Sequence, residues 1–233
     1  MALKKDLTFI DVFSIASGAM ISSGLFVLPG LAHALAGPAV VLAYFLAGLF
    51  AMTGMLSIAE LATAMPKAGG DYFFITRGLG PGVGTISGLL SWFAISMKSA
   101  FALVGMSAFT VILLPGIDRH LAGVIFALFF IILNVYGVKK AGRFQVYLVV
   151  ALIGLLLYYL FRGIPNISSD NFIPFAPKGW HNIMAIAGFV SVSYGGILNI
   201  ASISEEVKDL GKTLPKALIA SLFVIVVLYT LVV

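Results

Sequence analysis

The groups in this sequence best suited to chemistry belong to the backbone. Two clusters of small and hydroxyl-bearing residues, Ser17-Gly18-Ala19-Met20-Ile21-Ser22-Ser23-Gly24-Leu25-Phe26 and Gly188-Phe189-Val190-Ser191-Val192-Ser193-Tyr194-Gly195-Gly196, each fall near the middle of a long apolar run. If those runs are helices in lipid, an interruption exposes N–H and C=O groups that hydrocarbon cannot satisfy, and protein, water or a ligand must pair them. From Ser23 and Gly24 onward a second half-helix would present N-terminal N–H groups to an anion such as a carboxylate. The competing reading is close packing, because Gly18 and Ser22 have the four-residue spacing of helix–helix contacts in membranes. Two mid-run clusters in corresponding places favour a binding site built from two broken helices.

One charge stands where lipid should be. Lys98 has 15 residues before it from Val83 and 16 after it to Leu114, so at ~1.5 Å per residue the nearest interface of a ~30 Å core is about 15 Å away, beyond the reach of its side chain. Leaving that charge in hydrocarbon costs at least ~2.5 to 3.5 kcal/mol, so Lys98 is expected to face a cavity, pair internally or shed its proton, and it is the candidate coupling group. Glu60, near the inner face beside Lys67, reads as a gate or interface residue ahead of a buried proton carrier, Glu205-Glu206 can pair with inner-loop Lys or Arg, and the structural reading is favoured for both. His33, His120 and His181 sit at outer ends of apolar runs, without the spacing of a metal site. There is no cysteine, which removes thiolate metal sites and a Cys nucleophile. No triad, phosphate loop or paired acid appears, so no enzyme, cofactor or metal is expected.

The elements that must position these groups are membrane spans. Of 233 residues 61% are apolar and 10% charged, with 25 glycines and a mean hydropathy of +1.12, against ~45 to 50% and about 25% in soluble domains. Seven stretches are long and apolar enough, or nearly so, to cross a bilayer: 12–35, 39–63, 83–114, 121–138, 144–161, 181–203 and 217–233. Turn residues separate them at Gly37-Pro38, Pro66 through Pro81, Pro115-Gly116, Gly137 through Gly142, Gly163 through Gly179 and Gly211 through Pro215. With the N-terminus inside, Lys4, Lys5, Lys67, Arg77, Lys139, Lys140, Arg143, Lys208, Lys212 and Lys216 fall on the inner side and only Arg119, Arg162 and Lys178 on the outer, as the positive-inside rule requires. The net charge of +5 is scattered singly through apolar sequence, which excludes a nucleic-acid surface. Lys4-Lys5 and Ala32-His33-Ala34 imitate a signal peptide, but the run between them is overlong and broken by Asp11 and Pro29. The last stretch, Ser221 to Val233, is apolar apart from Thr230 and reads as the front part of a longer protein.

Three motifs carry a family resemblance. The first cluster resembles the first-helix signature of amino acid permeases of the amino acid, polyamine and organocation superfamily. Glu60-Leu61 through Pro66-Lys67-Ala68-Gly69-Gly70-Asp71-Tyr72, with Gly80-Pro81, is similar to that family's link between helices two and three. Glu205-Glu206-Val207-Lys208-Asp209 with Pro215-Lys216-Ala217 is similar to its segment after helix six. The resemblance implies an all-α membrane protein with two inverted five-helix repeats, of which this chain would hold the first plus helices six and seven. It implies a substrate site formed by Ala19, Met20, Ser22, Ser23 and Gly24 on helix one and by Val192, Ser193, Tyr194, Gly195 and Gly196 on helix six. Departures are Ser22 for the usual glycine, Val192 and Ile197 for frequent aromatics, and Asp209-Leu210 for Asn-Pro. Some proton-coupled members carry a lysine on helix five; here 144–161 has no charged residue, and Lys98 on helix three would supply it.

The function so implied is secondary active transport of an amino acid or related amine by alternating access, as an antiporter or symporter with protons as the candidate coupling ion. Its setting is a plasma membrane, with lipid as the other partner and the N-terminus cytoplasmic. The second class considered is a membrane-embedded structural or regulatory subunit without transport.

Overall fold

The computed structural model describes residues 5–21, 23–67, 69–135 and 138–233. Ser22 of the candidate site, Lys4 of the inner charges, Ala68 of the second motif and Gly137 lie outside the described residues. The chain forms α1 (Phe9–Met20), α2 (Ser23–Phe26), α3 (Leu28–Ala36), α4 (Val40–Ala64), α5 (Gly70–Leu79), α6 (Pro81–Leu113), α7 (Arg119–Val135), α8 (Val138–Gly163), α9 (Trp180–Val190), α10 (Leu198–Ala201) and α11 (Leu210–Val232). Short 3₁₀ segments join several of them, the longest being Ser191–Ile197. Among the described residues there is no strand, only an isolated parallel bridge between Leu7 and Val207.

This is an all-α membrane protein. Leu28–Ala64, Pro81–Leu113, Phe144–Gly163 and Leu210–Val232 are each long and apolar enough to cross a bilayer. Their outer faces carry large apolar side chains such as Phe93, Leu113, Val150 and Phe223, all more than half exposed, as suits faces covered by lipid or by further protein rather than water. The core surrounds α1, against which α11, α8, α10 and the Ser191–Ile197 segment pack, with α4 packed in turn on α11, α9 and that segment. Val12, Ala16 and Met20 on α1 are fully buried, as are Tyr44 and Ala47 on α4 and Leu218, Ile225 and Tyr229 on α11.

The two ends of the bundle are tied separately. At one end Leu7 exchanges backbone hydrogen bonds with Glu206 and Lys208 at 2.9 and 3.0 Å, and Lys67 pairs with Glu205 at 3.8 Å. At the other, the Lys178 ammonium donates to Ala34 O at 2.7 Å, the Asn182 amide to Leu35 O at 2.8 Å, and Ala39 N–H to Phe175 O at 2.9 Å.

Three stretches read as turns are helical. Between Pro66 and Pro81 the chain forms α5, whose Phe74 is buried and whose Gly70 (φ +54°) lies so close to α10 that a Cβ would sit 2.8 Å from Ser202 Oγ. Tertiary packing overrides the flanking glycine signals there. Pro215 lies inside α11, which starts at Leu210 with Lys212 and Thr213 N–H both bonded to Asp209 O at 2.9 Å; as the sixth residue it lies past the unpaired first turn and costs the ladder one hydrogen bond. The stretch through Gly142 belongs to α8.

Candidate functional site

The first broken run is held open by side chains from other helices. α1 stops at Met20, where Ser17 O accepts from Ile21 N–H at 2.8 Å, and the carbonyls that follow are met by side chains from elsewhere. The Lys98 ammonium from α6 donates to Ala19 O at 2.7 Å. The Tyr229 hydroxyl from α11 donates to Met20 O at 2.6 Å. Past the break, Gly24 O accepts the Tyr44 hydroxyl from α4 at 3.0 Å and, at 3.4 Å, the Ser193 hydroxyl. Helix ends in a low-dielectric interior need such donors, because an unpaired carbonyl there costs about 1 to 3 kcal/mol.

The second broken run changes helix type. α9 ends at Val190 and the chain continues as a 3₁₀ helix through Ser191–Ile197, where residues three apart eclipse and the segment has three faces. Ser193 and Gly196 form the face against the first break. A Cβ on Gly196 would lie 2.6 Å from Ala19 O, and one on Gly24 would lie 2.6 Å from Ser193 Cβ. Tyr194 takes the second face, with its ring 5.3 Å from that of Tyr229 and its hydroxyl donating to Tyr44 O at 3.0 Å. Val192 and Gly195 form the third face, which opens onto a cavity of about 400 Å³.

That cavity lies between the 3₁₀ segment, α10, α5 and α6. Ser91 and Lys98 line it from α6, Asp71 from α5 and Ser202 from beyond α10. The Asp71 carboxylate accepts the Ser91 hydroxyl. No heavy atom stands within 4 Å of where a Gly195 Cβ would be, so the cavity continues over that glycine.

The candidate residues are therefore brought together but divided. Ala19, Met20, Gly24, Ser193, Tyr194 and Gly196 are occupied in holding the two breaks against each other, Val192 and Gly195 face the cavity, and Lys98 lines it while its ammonium is bonded to Ala19 O. Ser23 begins α2, a single turn followed by Val27 and α3, rather than a continuous half-helix. The Tyr194 hydroxyl reaches α4, because the 3₁₀ register turns the side chain away from α1. Gly18 serves close packing, since its Cβ would lie 2.9 Å from Val149 of α8.

Sequence reasoning missed Tyr44, Tyr229, Asp71 and Ser91. Tyr229 offered one signal, a hydroxyl well inside a span although membrane tyrosines favour the interfaces. Asp71 stood inside a quoted motif without a role.

The fold and this site together define a multi-pass α-helical membrane protein with two interrupted helices packed break to break. The family model described as amino acid permease matches residues 11–233, and the chain belongs to that family, as its motifs implied. It is 32% identical over 96% of its length to a branched-chain amino acid permease of Lactococcus lactis subsp. cremoris. It is 30% identical over 98% to a methylthioribose transporter of Bacillus subtilis, and 30% identical over 98% to cationic amino acid transporter 1 of Arabidopsis thaliana. The chain spans about half the length of these curated relatives, 54%, 54% and 41% respectively.

Proposed function

We propose that this chain belongs to a secondary active transporter that carries an amino acid or related amine across a plasma membrane by alternating access around the two broken helices. The observation that carries the reading is the set of freed carbonyls at Ala19, Met20 and Gly24, each held by a donor from a different element. Such a junction can exchange protein donors for ligand or for another packing as the helices move, which a continuous helix cannot do. In this reading the chain contributes seven spans with the N-terminus cytoplasmic: the first five-helix repeat of an inverted pair, then helices six and seven. Lys67 meets Glu205 and Leu7 meets Val207 at one end, so the N-terminus, the link between α4 and α5 and the segment after helix six share a side, as the Lys and Arg count groups them.

Lys98 is the proposed coupling group. Its ammonium on Ala19 O ties α6 to the first break, and a change in its charge would loosen that tie as the site reorients. The test is uptake of radiolabelled amino acids into proteoliposomes holding the purified protein, with and without an imposed pH gradient. Saturable uptake driven by the gradient is expected, with gradient dependence lost in a folded Lys98→Met variant. Absence of uptake for every amino acid and amine tried would overturn the transporter reading, and an unchanged pH response in Lys98→Met would overturn the role of Lys98.

A further inference from the structure

The exposed side of α11 changes character along its length. Lys212, Lys216, Ile219, Phe223, Val227 and Leu231 are all exposed and follow one another at steps of three or four residues, so they form one stripe along the helix. The opposite face, with Leu218, Ile225 and Tyr229, is buried where the helix packs on α4 and α1. The stripe therefore runs from two ammonium groups at the start of a membrane span into continuous apolar surface. Lys208, also exposed, lies just ahead of the helix. Its N–H donates to Leu7 O at 3.0 Å, at the end of the bundle where Lys67 meets Glu205.

The protein itself gives these lysines no partner. Among the described residues no carboxylate forms an ion pair with Lys208, Lys212 or Lys216, and Glu205 is engaged by Lys67 at 3.8 Å. Asp209 is the lone acid between Lys208 and Lys216, so the segment stays positive. Lys216 is the seventh residue of the span. An ammonium at that depth must reach back to the headgroup layer, and helical side chains lean toward the N-terminus, which carries it that way and toward Lys212.

The spacing selects the occupant. Lys212 and Lys216 are one turn apart, a rise of ~6 Å at ~1.5 Å per residue, so two flexible ammonium groups can close on one phosphate. From Lys216 to Val227 the rise is ~16 Å, about half of a ~30 Å hydrocarbon core and so the depth of one leaflet. A soluble anion would answer the lysines alone, and a neutral lipid the apolar stripe alone. A molecule that answers both has an anionic head and a chain one leaflet long.

We infer that this face of α11 binds an anionic phospholipid, its phosphate between Lys212 and Lys216 with Lys208 beside it, and one acyl chain along Ile219, Phe223 and Val227. The site lies on the membrane-facing surface, apart from the broken helices, and is independent of what the protein carries.

Thermal unfolding of the purified protein in a non-ionic detergent tests this, because a ligand of the native state raises the midpoint by mass action. The probes are dioleoylphosphatidylglycerol, dioleoylphosphatidylcholine, and glycerol 3-phosphate, which has the charge without the chains. Attraction of one lysine to an anionic lipid surface is worth about fivefold in affinity, and two give roughly 25-fold. The phosphatidylglycerol should therefore stabilise at concentrations at least tenfold below those needed for the phosphatidylcholine, with glycerol 3-phosphate inert in that range. Lys212→Gln/Lys216→Gln should bring the ratio of the two lipids near one. Arg77→Gln/Arg119→Gln, which removes as much exposed charge elsewhere, should keep the ratio within twofold of the parent. No stabilisation by phosphatidylglycerol, or equal effects of the two lipids, overturns the inference. So does a ratio that survives Lys212→Gln/Lys216→Gln, or one lost as fully in Arg77→Gln/Arg119→Gln, which would mark a general attraction of the lipid to a basic protein. Glycerol 3-phosphate as effective as the lipid overturns it in favour of a soluble anion. The comparison of the three probes needs no variant, so it decides the question even if a variant does not fold.

Discussion

Tyr229→Phe removes one oxygen from the protein and nothing from its packing. Its ring stays against Tyr44 at a 5.5 Å centroid separation and 83°, while Met20 O loses its 2.6 Å donor. Met20 is fully buried, so neither water nor lipid can replace the bond. A buried acceptor left bare costs about 1 to 3 kcal/mol, and measured hydrogen bonds in membrane proteins fall toward the lower part, ~0.6 on average and up to ~1.7. We therefore expect Tyr229→Phe to cost ~1 to 2 kcal/mol, which at ~2 to 4 °C per kcal/mol for a chain of this size lowers the thermal midpoint by several degrees. Tyr44→Phe is the internal comparison. It takes the 3.0 Å bond from Gly24 O, but Ser193 remains 3.4 Å away and can move in, so its cost should be the smaller. The assay is thermal unfolding of both variants in the same detergent. A Tyr229→Phe protein as stable as the parent, or a larger loss in Tyr44→Phe, would refute the claim that these hydroxyls hold the break.

Gly18→Leu should cost ~1 to 3 kcal/mol by overpacking, because a Cβ added there would lie only 2.9 Å from Val149 and 3.0 Å from Gln145. Gly30→Ala, with nothing within 4 Å in α3, should instead stabilise by ~0.5 to 1 kcal/mol through helix propensity, and unfolding midpoints moving in the same direction would contradict the packing described. Lys67→Ala should change stability by less than ~1 kcal/mol, since its pair with Glu205 is 3.8 Å long and the lysine side chain is 64% exposed. A larger loss, measured at low and at high salt, would show that this contact does more than sit on the surface.

Legibility in the sequence followed the range of the physics involved. The stretch read as 83–114 became α6, Pro81–Leu113, because a long run, apolar but for Lys98 and a few hydroxyls and bounded by Gly80-Pro81 and Pro115-Gly116, leaves little alternative. The first interruption was legible from local composition, and α1 does end at Met20. α5 was not, because its ten residues are held by Gly70 and Phe74 against elements distant in sequence. Tyr229 and Met20 are 209 residues apart, and no spacing rule links a hydroxyl to a particular freed carbonyl. The division of the second cluster was hidden for a different reason. At 3.6 residues per turn Val192, Ser193 and Tyr194 point differently than at three, so only the 3₁₀ geometry reveals that Gly195 faces the cavity while Gly196 faces Ala19.

The chain contains no cysteine, so single introduced thiols report on the site without background. Gly195→Cys places a thiol toward the cavity, and Ser193→Cys places one in the fully packed face between the breaks, where Ser193 is 1% exposed. In membranes, reaction with a small water-soluble maleimide should be fast at position 195, slow at 193, and suppressed at 195 by the amino acid or amine that stabilises the protein most. Equal rates at the two positions, or labelling at 195 that saturating ligand leaves unchanged, would contradict a substrate site on this face of the broken helix.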